Sequence, residues 1–194
     1  MDIEARIAQI LAAEAAAIAA VSVTPAFSAA VEVLESCRGK VLTTGMGKAG
    51  HVARKMAATL CSTALPAAFL HPGDAQHGDL GLVAPGDVLI AYSNSGRTRE
   101  VIEAIDLARR VGLSRVVGVT SHPEAWADRY DVVLDMGPVV EPCALGLTPT
   151  ASIAVMLAIS DALALVVMER RGIGREDFGM RHHGGYLGHK ARQG

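Results

Sequence analysis

The run AYSNSGRTRE, residues 91–100, places three hydroxyls (Ser93, Ser95, Thr98) and Gly96 where an apolar strand gives way to a helix. A helix N-terminus presents unpaired N–H groups and partial positive charge, and together these hold an anion. The dipole alone contributes about 0.3–1 kcal/mol, so the hydroxyls have to supply further donors around a phosphate. Gly96 lets the backbone approach closely. Ser and Thr also favour plain N-caps, so these residues alone leave a cap and turn equally open. The corner is not a P-loop, because G-x-x-x-x-G-K-[ST] is absent.

Four other segments carry groups that do chemistry. GMGKAGH, 45–51, again follows a strand, and its glycines fall in G-x-G-x-x-G spacing. No acidic residue stands about twenty positions on, where a dinucleotide-binding unit needs one to hold the ribose. Lys48 within this turn reaches a phosphate or a developing oxyanion; the alternative is a solvated surface lysine. HPGDAQHGDLG, 71–81, carries two histidines and two aspartates, but His71 and His77 lie six apart, outside ordinary metal-ligand spacings. No metal is expected, and His77 reads better as a polar group directed at a substrate hydroxyl. In EPCALGLTPT, 141–150, Glu141 stands above an apolar loop, which predicts a raised carboxyl pKa suited to proton transfer. An ordinary exposed glutamate is the other reading. In RHHGGYLG, 181–188, a histidine before Gly-Gly is either a positioned acid or base or part of a frayed tail.

Elements that position these segments are legible. Short apolar runs at 41–45, 67–71, 87–93, 115–121 and 131–136 alternate with helical patterns to about 61, over 98–111, in PEAWADRY, and from about 149 to 171. Alternation of this kind predicts βαβ units and a mainly parallel sheet covered on both faces. Gly112 and Gly172 stand where helix C-caps belong. In an open parallel sheet, ligands bind beyond the carboxyl ends of the strands, which singles out 45–51, 71–81, 93–100, 119–124 and 137–148. Residues 2–20 and about 24–37 form a two-helix lead-in, Thr24-Pro25 opening the second helix. Such a lead-in serves an oligomer interface or packs on its own domain. The tail from 173 to 194 has no clear assignment.

Composition narrows the classes. At 194 residues the chain fits one domain with a real core. Half of it is hydrophobic yet only 4% is aromatic, so aliphatic side chains fill that core. Net charge is −2 with no basic face, which argues against nucleic acid and membrane-surface partners. Cys37, Cys61 and Cys143 are odd in number and scattered, which predicts reduced thiols and a cytoplasmic home. The start MDIEARIAQ lacks a basic leader region, and the Ala-rich run 15–23 is too short to span a membrane.

Taken together, GMGKAGHVARKMAATLCST, HGDLG, DVLIAYSNSG, EPCALGLTPT, SDALA and HHGGYLG resemble, in order and spacing, the sugar isomerase (SIS) domain family. Within it they are most similar to the arabinose 5-phosphate isomerases that feed Kdo synthesis. The resemblance implies an α/β fold, a three-layer αβα sandwich with a five-stranded parallel sheet. One SIS domain over 1–194 is expected, with 1–38 as lead-in and 173–194 contributing to the site. It implies a homotetramer or dimer with sites at subunit boundaries, and no cofactor. Matching motifs carry Lys48, His77, Glu100, Glu141 and His182 over as catalytic groups. Gly47, Ser93, Asn94, Ser95, Gly96 and Thr98 correspond to the substrate- and phosphate-binding set. Departures are Ala49 where the family has serine and RHHGG where it has SHPGG. Many members also carry paired CBS domains after the isomerase domain; here nucleotide regulation through those modules is not expected.

The implied reaction converts D-ribulose 5-phosphate and D-arabinose 5-phosphate reversibly through an enediolate. It needs ring opening, a base that moves a proton between adjacent carbons, and donors for the oxyanion. Glu141 or Glu100 is the expected base, His182 the acid–base partner, His77 the ring-opening group and Lys48 the charge stabiliser. Alternatives are isomerases of sedoheptulose 7-phosphate or 3-hexulose 6-phosphate, or a non-catalytic sugar-phosphate sensor.

Overall fold

The structure is a computed structural model that describes residues 1–126 and 128–192. Five parallel strands, β1 Val41–Gly45, β2 Ala67–Phe69, β3 Val88–Tyr92, β4 Arg115–Thr120 and β5 Val132–Asp135, form one sheet in the order β2-β1-β3-β4-β5. Helices α1 Ile3–Ala19, α2 Pro25–Glu35, α3 Gly47–Ser62, α4 Pro72–Ala75, α5 Arg99–Arg110, α6 Ala151–Arg170, α7 Arg175–Arg181 and α8 Gly185–Arg192 complete the described elements, with two 3₁₀ turns at Asp79–Leu82 and Pro123–Ala125.

Strand periodicity explains why the sheet is covered twice. Along β3, Val88, Ile90 and Tyr92 face one core with Leu34, Met56, Leu60 and Ile159 of α2, α3 and α6. Leu89 and Ala91 face the other, with Val101, Ala104 and Ile105 of α5 and with Trp126. Side chains alternate across a strand, so a continuous apolar run supplies both faces. The three-layer αβα sandwich follows.

The expected helix over PEAWADRY is corrected: among its described residues only Pro123–Ala125 is helical, and as a 3₁₀ turn. The reason is packing. Trp126 is buried and stacks on Tyr130 with ring centroids 4.0 Å apart. Both rings lie on Gly118 of β4, where any Cβ would collide with the indole and the phenol ring. The tail, unassigned from sequence, forms α7 and α8, which pack chiefly on each other.

Below the sheet, Asp87 ties its own turn to the residue that precedes β1. Its carboxylate accepts hydrogen bonds from the Lys40 N–H at 2.9 Å, the Lys40 ammonium at 2.7 Å and the Ala84 N–H at 2.8 Å. Among the described residues α6 alone is long and apolar enough to cross a membrane; half of its apolar stretch is buried, against α1, α2 and α3.

Candidate active site

The strand order reverses between β1 and β3, because β1 pairs with β2 on one side and with β3 on the other. A crevice opens at such a switch point, beyond the carboxyl ends. Both glycine-bearing turns border it. After β1, Gly47 adopts φ +59°, the left-handed region that strains residues with a Cβ, and starts α3. Lys48 is then the second residue of that helix and is exposed. At Gly50 a Cβ would lie 2.6 Å from the Gly45 carbonyl oxygen, so helix and strand meet here only because neither residue carries a side chain. The glycines of GMGKAGH therefore serve close packing and a turn.

After β3 the chain turns sharply, the Gly96 N–H bonding to the Ser93 carbonyl at 3.2 Å. Gly96 takes φ +61°, and its carbonyl accepts from the Trp126 indole N–H. The buried tryptophan thus braces the loop from behind. Thr98 is the N-cap of α5, yet its side chain makes no capping bond. The Thr98 and Ser93 hydroxyls pair instead at 2.8 Å, and the Ser95 hydroxyl accepts from the Arg97 N–H at 3.2 Å. The hydroxyls line the approach to the helix end rather than plugging it, which is the arrangement an anion requires.

A cavity of about 280 Å³ joins these turns. Lys48 forms one wall, Ser93, Asn94, Ser95 and Thr98 a second, and Ser152 with its α6 neighbours a third. Gly47 and Gly96 shape the backbone without lining it. Tyr92 also borders the cavity; its hydroxyl pairs with Ser160 at 2.8 Å, and burial pushes its pKa up.

Glu141 reaches this cavity through Ser152. One carboxylate oxygen accepts from the Thr150 and Ala151 N–H groups, both at 2.8 Å. The other accepts from the Ser152 N–H at 3.2 Å and from the Ser152 hydroxyl. The expected raised pKa is therefore corrected. Burial pushes the carboxyl up, but the Ser152 hydroxyl and the three N–H groups outweigh it and hold Glu141 below the usual carboxylate range. The carboxylate stands at the N-terminus of α6, where the partial positive charge favours it.

The remaining candidates have no such link to the cavity. His77 is exposed in the turn after α4. A 2.7 Å bond from Gln76 to Glu103 holds that turn against α5, whose first turn carries Glu100. His182 caps α7, stacks on Phe178 at 3.9 Å and donates from Nδ1 to the Phe178 carbonyl at 2.8 Å. The fold brings Lys48 and the serine corner together on the walls of that space; Glu141, His77, Glu100 and His182 are off its walls, Glu141 being joined to it through Ser152.

Sequence reasoning missed Ser152, Tyr92 and Cys143. The Cys143 sulfur accepts from the Thr148 and Leu147 N–H groups at 3.2 and 3.3 Å, and these bonds, those of Thr148 first, lower its pKa to about 6. A serine at the second position of a helix whose start a glutamate caps was the available signal for Ser152. Among the described residues no three His, Cys, Asp or Glu side chains cluster as metal ligands.

Comparison with known proteins converges on one family. The SIS domain profile matches residues 33–166. Arabinose 5-phosphate isomerase KdsD of Escherichia coli K12 is 46% identical over 165 residues, which are 84% of this chain and 50% of that protein. KdsD of Pseudomonas aeruginosa is 44% identical over the same shares. The chain thus spans about half the length of the curated relatives it matches. A solved Escherichia coli CFT073 protein in complex with A5P is 38% identical, with TM-score 0.87 over 93% of this chain and 97% of that one. Parallel sheet, serine corner and profile agree: the chain belongs to the SIS domain family.

Proposed function

We propose that the protein is an aldose–ketose isomerase of sugar phosphates that interconverts D-arabinose 5-phosphate and D-ribulose 5-phosphate. The cavity that joins Lys48, the Ser93–Thr98 corner and the Ser152–Glu141 pair carries this reading. Likeness to KdsD and to the protein in complex with A5P supports the sugar. The phosphate rests on the serine corner and the N-terminus of α5. That places the reactive carbons toward Lys48, whose ammonium stabilises the enediolate oxygen, and toward Glu141, the proton shuttle. Of the two carboxylates, Glu141 is favoured because its hydrogen-bond partner Ser152 lines the cavity, whereas Glu100 does not.

His182 and His77 enter from a boundary between copies. The α7–α8 pair packs chiefly on itself and exposes Met180, Tyr186 and Leu187, as a segment does that docks on another subunit. An apolar groove of about 420 Å³ between α2, α6 and the end of α1 gives the copies a second contact. No buried residue anchors α1, and its Ile3, Ile7 and Leu11 are exposed, so this helix too gains by association.

The test is a panel of D-ribulose 5-phosphate, sedoheptulose 7-phosphate and 3-hexulose 6-phosphate, each assayed for its aldose in deuterated solvent. Arabinose 5-phosphate carrying solvent deuterium at C2 supports the proposal. Turnover of only a longer ketose would reassign the substrate, and binding without turnover would make the protein a sensor. In the same assay Ser95→Ala should raise KM roughly tenfold, as expected for one hydrogen bond to a charged group, with kcat within about twofold. A loss confined to kcat would argue against phosphate binding at Ser95.

A further inference from the structure

We propose that Ser152 is a positioning residue that switches Glu141 between a held and a released state as substrate arrives; this rests on the reading of Glu141 as the proton shuttle. Four donors grip the Glu141 carboxylate, and three of them are backbone N–H groups at the start of α6. Those three cannot turn away without unwinding the helix. The fourth is the Ser152 hydroxyl, bonded to Oε1. It differs from the others in two ways: it rotates about its C–O bond, and its residue lines the cavity.

A hydroxyl has one hydrogen to donate. In the empty cavity that hydrogen goes to Glu141, which quenches the basicity of Oε1. A sugar oxygen entering the cavity offers a competing acceptor. When the hydroxyl turns to it, Oε1 regains a lone pair and basicity while the backbone grip keeps the carboxylate in place. Substrate arrival and base activation are thereby linked through one proton. Ser152 has no surface open to solvent, so in the empty cavity no water competes with Glu141 for its hydrogen.

Other charged and titratable groups around Glu141 do not duplicate this. Lys48 faces the cavity from α3. Arg6 of α1 is bonded to the Pro142 carbonyl, not to the carboxylate. The Cys143 sulfur is engaged by its own loop. Tyr92 is paired with Ser160.

Full-length Ser152→Ala, Ser152→Thr, Ser152→Val and Glu141→Gln variants test the proposal. The readouts are kcat, KM, the acid limb of kcat/KM for solvent deuterium uptake, and Tm. Ser152→Ala should raise KM several-fold through loss of the hydroxyl's bond to the sugar, with kcat within about twofold because in the bound state that hydroxyl has already left Glu141. It should also move the acid limb to higher pH, because a bond that favours the ionised carboxylate is gone. Ser152→Thr should restore both. A serine that holds Glu141 throughout would lower kcat instead, and a merely structural one would lower Tm and leave the acid limb in place; either result overturns the proposal. Should Ser152→Ala fail to fold, the Thr and Val variants, matched in shape and differing in the hydroxyl, pose the same question; equal pH profiles for the two overturn it. An inactive Glu141→Gln beside an unshifted Ser152→Ala profile sinks the role of Ser152 alone. An active Glu141→Gln sinks both it and the function of Glu141.

Discussion

Replacing Glu141 with glutamine should slow uptake of solvent deuterium into the sugar about 10²–10⁴-fold, the ordinary contribution of a positioned acid or base. Sugar-phosphate affinity should stay within about twofold, because in the proposed binding mode the phosphate rests on Ser93, Ser95 and Thr98, which line the cavity where Glu141 does not. The pH dependence has a definite sign. Hydrogen bonding holds the Glu141 carboxyl below its reference value of 4.5, so the proposed shuttle is ionised at neutral pH. Activity is then lost only as pH falls through that depressed value, and the acid limb lies lower than an unperturbed glutamate would give. The substitution also removes a charge from the N-terminus of α6, which costs about 1 kcal/mol of stability. A small fall in Tm should therefore accompany a large fall in rate. Undiminished exchange in Glu141→Gln would remove this residue from the mechanism.

Asp87→Ala should destabilise the fold by about 3 kcal/mol, and by up to about 5, the range for breaking a buried ion pair. Asp87 is 1% exposed, and its carboxylate accepts the Lys40 ammonium together with two N–H groups that would be left without it. For a domain of this size each kcal/mol moves Tm by about 2–4 °C, so a shift of about 6–12 °C is expected. Burial raises the Asp87 pKa, but the Lys40 side chain and the two N–H bonds overcome this and set it below the reference value of 3.8. A depressed acid contributes stability that is present above the unfolded value and disappears as pH falls through the folded one. Denaturant titrations from pH 6 down to pH 2 should show that acid slope in the parent and a shallower one in Asp87→Ala. Asp106→Ala is the control: its pair with Arg129 is open, at 3.7 Å and 47% side-chain exposure, and should change stability by less than about 0.5 kcal/mol. Equal losses at the two positions would contradict the role assigned to Asp87.

Both predictions depend on groups of different legibility. The sheet was readable because VLTTG, DVLIAYS and RVVGVTS are continuous apolar runs between helical patterns, and that arrangement admits little besides a parallel sheet covered on both faces. The serine corner was readable because hydroxyls and glycine at a strand-to-helix junction are local chemistry, and the junction formed where expected. PEAWADRY was misread as a helix because its local pattern suits one, whereas the demand of Gly118 for two flat rings decided its conformation.

What the sequence determined by itself was the family, the order of the layers and the placing of Lys48, Ser93, Ser95 and Thr98 at strand ends; these follow from residue type and near-neighbour spacing. Tertiary structure alone decided that Glu141 is gripped by the start of α6, that Ser152 stands between it and the cavity, and that α7 and α8 carry His182 on a pair of helices packed on each other. A carboxylate takes its basicity from the donors around it, and for Glu141 those donors lie nine to eleven residues away along the chain. Sequence spacing does not encode the direction in which they point.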